Sequence, residues 1–184
     1  MNVSVSTVAP ERSDLLWGLY RATFGPSVTQ CVQEQLCYTE ATFRQALGDE
    51  DIVKFVVEDG GAPIGLALAT FNLEKARIAY VNPRRLELAY PDRTGRILYF
   101  TCLAIHPSHQ NGSFVFTALV RELTVFTDRH RAVVAFDFST EKNARLPLAI
   151  VRVTQQTQRA GLTQTKQAQY KRLGGPEYGV IELT

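Results

Sequence analysis

The stretch Ile97 to Arg121 holds the clearest chemistry in this 184-residue chain. An apolar run, Ile97 to Ile105, ends at His106-Pro107. A short polar loop, Ser108 to Ser113, then leads into a helical apolar pattern from Phe114 to Phe126. A buried strand that turns tightly into a helix aims backbone N–H groups at whatever lies above the helix N-terminus, usually an anion. A phosphate-bearing cofactor is therefore the leading expectation for this turn. The thiols and imidazoles offer less. Cys31, Cys37 and Cys102 form no CxxC pair, and three cysteines complete no disulfide framework. Cys102 lies inside the apolar run and reads as a small buried hydrophobe, with a catalytic thiol as the alternative. His106, His109 and His130 have no carboxylate or thiol at matching spacing. Zinc needs three or four converging ligands, so no metal is expected.

The elements that position this turn can be traced along the chain. Val3, Val5 and Thr7 alternate with serines and predict a short first strand. Pro10 and Ser13 open a helix whose apolar face is Leu15, Leu16, Leu19, Tyr20 and Phe24, ended by Gly25-Pro26. A second helical piece is expected near Val28 to Leu36. Thr39 is placed to cap a third helix through Phe43 and Leu47, closed by Gly48. Asp51 to Glu58 and Ala62 to Phe71 read as a hairpin around Asp59-Gly60-Gly61. Residues 72–94 read as an insertion over one end of the sheet, with turn signals at Asn82-Pro83 and Pro91-Asp92. Arg131 to Phe138 is a further buried strand. Ser139 or Thr140 then caps a helix through Val153, which Pro147 kinks or delays. Leu162 to Leu173 fits strand or helix, Gly174-Gly175-Pro176 is a break, and Tyr178 to Leu183 is a terminal strand. Helices interrupting a mostly antiparallel sheet predict a mixed α/β domain of the α+β type, one domain over 1–184.

Composition bounds the function classes. Hydrophobic residues are 45% and charged residues 21% of the chain, ordinary for a globular domain with a sizeable core. A formal net charge of +2 is too small to argue for nucleic acid or an anionic membrane surface, and neither is expected as a partner. No apolar stretch is long enough to span a bilayer, and the N-terminus lacks the form of a signal peptide. An intracellular, cytoplasmic protein is the expectation.

The element order and Leu103-Ala104-Ile105-His106-Pro107 together resemble the GNAT superfamily, the acetyl-CoA-dependent N-acetyltransferases. The next six residues, Gln110-Asn111-Gly112-Ser113-Phe114-Val115, are similar to that family's diphosphate loop. That loop has arginine or glutamine, two variable residues, glycine, one variable residue, then glycine or alanine. Gln110 matches the first position, whereas Ser113 and Val115 stand where small residues let the backbone close on the diphosphate. The resemblance implies a sheet splayed between its fourth and fifth strands, with acetyl-CoA or a longer acyl-CoA in the gap. The backbone of Leu103, Ala104 and Ile105 would pair with the pantetheine arm. Asn143 is similar to an asparagine often found after the family's fifth strand, and is also simply a good cap.

By the same resemblance, the reaction moves an acyl group to a small-molecule or peptide amine. It needs a base for the amine proton and donors for the oxyanion. Tyr99 stands near a position where family members carry glutamate, but a phenol with a pKa of about 10 is a poor base. Asp137 and Glu87 are the carboxylate candidates, each with a solvated surface position as the plainer alternative. The family's usual tyrosine acid has no counterpart in LPLAIVRV, and Tyr170 falls too late in the chain to replace it. Two further readings remain: a catalytically degenerate binding or regulatory module, and a self-associating protein. A homodimer is left open. Phe114 and Phe116 could face a partner, with core burial as the default.

Overall fold

The computed structural model describes residues 2–7, 11–25, 38–76, 83–110, 113–137, 144–174 and 178–183. Within these, the elements are β1 (Asn2–Ser6), α1 (Ser13–Phe24), α2 (Glu40–Gly48), β2 (Ile52–Asp59) and β3 (Ala62–Thr70). They continue with α3 (Pro83–Ala89), β4 (Ile97–Ile105), α4 (Ser113–Arg129), β5 (Val133–Asp137), α5 (Leu146–Arg159), β6 (Ala168–Gly174) and β7 (Tyr178–Leu183). Two compact units emerge, Met1–Thr70 with Thr101–Leu119, and Phe71–Phe100 with Val120–Thr184.

The first unit grows from the hairpin. Gly60 and Gly61 have φ of 56° and 80°, the left-handed pair a two-residue turn requires, and Asp59 pairs with Ala62 across it. A register shift at Val57/Glu58 accommodates Pro63, which cannot donate to the ladder. β1 adds antiparallel to β2, and β4 lies beside β3. Helix α1 buries Leu16, Leu19 and Tyr20 and ends at Gly25, φ 50°. Leu15, expected on the same face, is 49% exposed. Thr39 and Thr42 close a capping box on α2: each hydroxyl accepts the other residue's backbone N–H, at 3.2 and 2.9 Å. The helix runs one turn position further than expected, taking in Gly48. No basic residue stands in its last turn. Instead Lys54, fully buried on β2, donates from Nζ to the carbonyls of Asp49 (2.6 Å) and Thr7 (2.9 Å). Burial pushes the Lys54 ammonium below its ordinary range, against the opposing pull of Asp49 and Glu50. The expected helical piece at Val28 to Leu36 lies outside the described residues.

The second unit orders its strands β4-β5-β7-β6. β4 and β5 are parallel, while β5–β7 and β6–β7 are antiparallel. One apolar cluster joins Leu86 and Tyr90 to Ile97, Tyr99, Val133, Ala135 and Val180. The insertion contains a helix that the turn signal at Asn82-Pro83 concealed. Pro83 opens α3, where its missing N–H costs nothing, and fully buried Leu86 supplies the driving contact. Pro147 likewise sits in the first turn of α5, so that helix starts late and is not kinked. Ser139 and Thr140 lie outside the described residues. The ambiguous segment resolves as β6. Its Tyr170 ring covers Gly179, where a Cβ would fall 2.2 Å from Cε2, so only glycine fits. Asp128, near the end of α4, accepts from the N–H groups of Gln164 (2.8 Å) and Thr165 (3.0 Å) and from the Thr165 hydroxyl (2.7 Å). Burial pushes its carboxyl up, but these donors prevail and hold it below the usual range.

Parallel pairing of β4 with β5 covers Ile97 to Tyr99 against Val133 to Ala135. It ends there, although β4 runs to Ile105 and β5 continues to pair with β7 through Asp137. This is the expected parting of the fourth and fifth strands. The architecture is the α+β arrangement the element order predicted.

Candidate functional site

In the first unit, β4 delivers the chain to a short 3-10 turn, Pro107–His109, and then to α4. The His106 N–H donates to the Ile64 carbonyl at 2.9 Å, so residue 106 faces β3. Backbone groups alternate sides along a strand. Ala104 therefore faces β3 too, while Leu103 and Ile105 direct their N–H and C=O to the opposite side. The Ile105 carbonyl is engaged there by the Thr23 hydroxyl (3.0 Å) and the Gln110 side-chain amide (2.9 Å). Gln110 thus ties the turn back to the strand. The Ser108 hydroxyl bridges the Nδ1 atoms of His106 (2.7 Å) and His109 (2.9 Å), which stiffens the same turn.

Helix α4 opens with Ser113, Phe114 and Val115. Phe114 is 62% exposed, contrary to the core position expected for it, whereas Val115 is buried. Val115 packs on Gly65 of β3: a Cβ built at Gly65 would stand 2.5 Å from Val115 Cγ1. The branched side chain is thereby accommodated in the sheet. The first-turn amides, Ser113 to Val115, have no intrahelical acceptor by construction, so that end of α4 carries donors and a positive partial charge. Asn111, Gly112 and Asn143 lie outside the described residues.

The second unit brings together Tyr99 and Asp137. The buried phenol of Tyr99 on β4 donates to Asp137 Oδ1 at 2.7 Å, and Asp137 is exposed at the end of β5. The phenol thereby fixes one carboxylate oxygen of Asp137 through a single charge-assisted hydrogen bond. Position in sequence alone suggested Tyr99 as a poor base; in the structure its phenol is a donor to the Asp137 carboxylate. Their pairing had no local signal, because it depends on which strands pair.

Glu87, the other carboxylate candidate, is exposed on α3 and lines a separate cavity of about 480 Å³ within the second unit. Glu74, Arg84, Phe71, Leu73 and Ile97 line it as well. The Phe71 ring is braced by Phe126 (centroids 6.2 Å apart) and His130 (5.5 Å). Sequence reading missed Glu74 and Phe71, which flank the end of β3 without any motif. Cys102 is buried in the first unit's core, and among the described residues no three His, Cys, Asp or Glu side chains converge on a metal position. No helix among the described residues is long and apolar enough to cross a membrane.

No family model and no curated protein matches the sequence. Solved structures do match over their whole length. The PaiA N-acetyltransferase from Thermoplasma acidophilum, solved with coenzyme A, is 8% identical, with TM-score 0.61 and 100% of both chains covered. An aminoglycoside acetyltransferase in complex with coenzyme A and kanamycin is 15% identical, with TM-score 0.56, covering 99% of this chain and 95% of that one. An N-acetyltransferase from Staphylococcus aureus is 11% identical, with TM-score 0.53, covering 100% of this chain and 98% of that one. The chain therefore has the fold of the GNAT N-acetyltransferases.

Proposed function

We propose that this chain binds an acyl-CoA and transfers its acyl group to an amine. The observation that carries this reading is the seat of Val115 on Gly65. A branched residue in the third position of α4 is an obstacle to a diphosphate only if its side chain stands over the helix end. Here it is buried in the space left by a glycine hydrogen and not over the helix end, where the amides of Ser113 to Val115 are suited to receive an anion. The turn is stiffened beforehand by the Gln110 and Ser108 hydrogen bonds, which reduces the ordering cost of binding.

Acyl-CoA supplies the acyl group as a thioester. Leu103 offers an N–H and a C=O on the side of β4 away from β3, suited to pairing with an extended pantetheine arm as an added strand does. Such an N–H also suits an oxyanion. Asp137 accepts the amine proton, and Tyr99 is its positioning residue. The known GNAT structures solved with coenzyme A support the same cosubstrate.

Calorimetric titration with coenzyme A, followed by thiol release from acetyl-CoA across a panel of amines, tests the reading. Micromolar binding and amine-dependent turnover are expected. No heat at millimolar coenzyme A overturns the proposal. Binding without turnover on any amine would instead favour a non-catalytic acyl-CoA-binding module.

A further inference from the structure

The net charge of +2 is a small difference between two large and opposite ones. The first unit's span of sequence holds 4 Lys and Arg against 9 Asp and Glu, a charge of −5. The second unit's span holds 16 against 9, a charge of +7, and 12 of those 16 cations are arginine. A domain this basic has the electrostatic footprint of a polyanion binder, and the planar arginine fork grips phosphate oxygens in pairs. We propose that the second unit carries a binding surface for single-stranded nucleic acid, at the end of the unit where β4 and β5 begin.

Hydrogen bonds tie three segments, 91–96, 128–133 and 159–167, into one patch. Arg93 donates from Nη1 to the Arg131 carbonyl (2.9 Å), and the Val133 N–H donates to the Arg96 carbonyl (3.0 Å). Asp128 accepts from Gln164 and Thr165, and the Gln158 side-chain amide donates to the Gln167 carbonyl (2.9 Å). These segments carry Arg93, Arg96, Arg129, Arg131, Arg159 and Lys166 against only Asp92 and Asp128. All of these cations but Arg93 are exposed, and none has a carboxylate partner among the described residues. Arg93 and Arg96 donate to carbonyls, which leaves their charge unneutralised. Glu74 and Glu87 line the adjoining cavity, which Gly95 also borders, and mark an acidic margin on that side.

An aromatic stack stands at the same turn. The exposed His130 ring packs on Phe126 with centroids 4.2 Å apart, and its Nδ1 lies 2.8 Å from the Phe126 carbonyl, which fixes the ring. Phe71 lies against it as well, at 5.5 Å. Fixed rings beside arginines suit unpaired bases, which stack whatever their sequence. Duplex bases are already stacked on one another, and an acidic peptide gains nothing from the rings. The surface lies at the start of β4, whereas the turn assigned to acyl-CoA follows its end. The inference therefore stands apart from the acyl-transfer reading.

The test is fluorescence anisotropy of the full chain, without coenzyme, and a labelled oligouridylate about twelve nucleotides long, within the range of sequence-independent single-strand sites. Binding is expected, with the logarithm of affinity falling against the logarithm of salt at a slope of about −3 to −4, the value for about five phosphates on a single strand. The triple variant Arg129→Gln, Arg159→Gln, Lys166→Gln is expected to weaken binding about tenfold or more at low salt and to flatten that slope by about two. These three side chains are exposed and make no hydrogen bond among the described residues, and thermal unfolding checks that the variant is folded. Arg121→Gln, Arg145→Gln, Arg152→Gln removes the same charge nearer the starts of α4 and α5 and is expected to keep the wild-type slope. No binding, an unchanged slope in the patch variant, or equal flattening in the control overturns the proposal. Polyglutamate or phosphatidylserine vesicles that displace the label as readily as unlabelled oligonucleotide also overturn it. So does displacement by millimolar coenzyme A, which would put the strand on the turn before α4. Coenzyme A binding and turnover are measured separately, so either reading can fail alone.

Discussion

A Cβ at Gly65 would lie 2.5 Å from Cγ1 of Val115, so the strand and the first turn of α4 approach as closely as a glycine allows. Leu119 would be only 3.2 Å away, so the side chains cannot simply rotate aside. This contact lets a branched residue occupy a position where small residues are expected near a diphosphate.

Gly65→Ala should therefore push the start of α4 outward. Overpacking of this kind costs about 1–3 kcal/mol. Coenzyme A affinity should fall as well, because the amides of the first turn move with Val115. Adding Val115→Ala to the same chain should restore both. Chemical denaturation and coenzyme titration on the two variants check this, and a coenzyme affinity unchanged in Gly65→Ala would detach the contact from the site.

Tyr99→Phe keeps the ring in the core but removes the hydrogen bond to Asp137. A loss of about 1 kcal/mol in stability is expected from one such bond. Turnover should drop while KM for the amine stays near the wild-type value, because positioning a base affects the proton transfer more than binding. Asp137→Asn should lower turnover by about 10²-fold or more, the usual range for a general base. A purely structural Tyr99 would leave kcat intact.

Asp128 binds the 164–165 segment to α4, and its folded-state pKa lies below the unfolded value. The sign follows from proton binding: between the two pKa values the unfolded chain holds more protons, so stability rises with pH there. The contribution is complete above about pH 4, the ordinary aspartate range, and is lost as pH falls through the folded value. Asp128→Ala should destabilise by about 1–3 kcal/mol at neutral pH. The difference from wild type should shrink in acid, as denaturation midpoints measured across that window would record.

Lys54 gives the opposite end of the pH scale. Its folded-state pKa is lowered by burial, so protonation favours the unfolded chain between the folded value and the ordinary lysine value of about 10.4. Stability from this group is present above that ordinary value and lost as pH falls through the folded one. The stability of wild type minus Lys54→Met should therefore climb with pH through this window. Subtraction removes the tyrosines that titrate nearby. A flat difference curve would show that Lys54 titrates in its buried seat as it does in the unfolded chain.

Much of the scaffold was legible because its signals are local. The apolar run Ile97–Ile105, the glycine pair at 60–61, and the Thr39 cap each act within a few residues, and each forms the element its pattern predicts. The helix at Pro83–Ala89 was not legible. A proline before a short polar stretch looks the same whether it opens a helix or a turn, and only the burial of Leu86 decides between them.

By itself, then, the sequence determined most of the elements, their order, and the turn that places helix amides at the end of β4. Tertiary structure decided that Val115 turns inward onto Gly65, that Tyr99 meets Asp137, and that Glu74 and Glu87 share one cavity. Backbone periodicity and turn chemistry are short-range and can be read along a chain. Side-chain contacts between distant strands depend on register and packing, which exist only after the whole fold has formed.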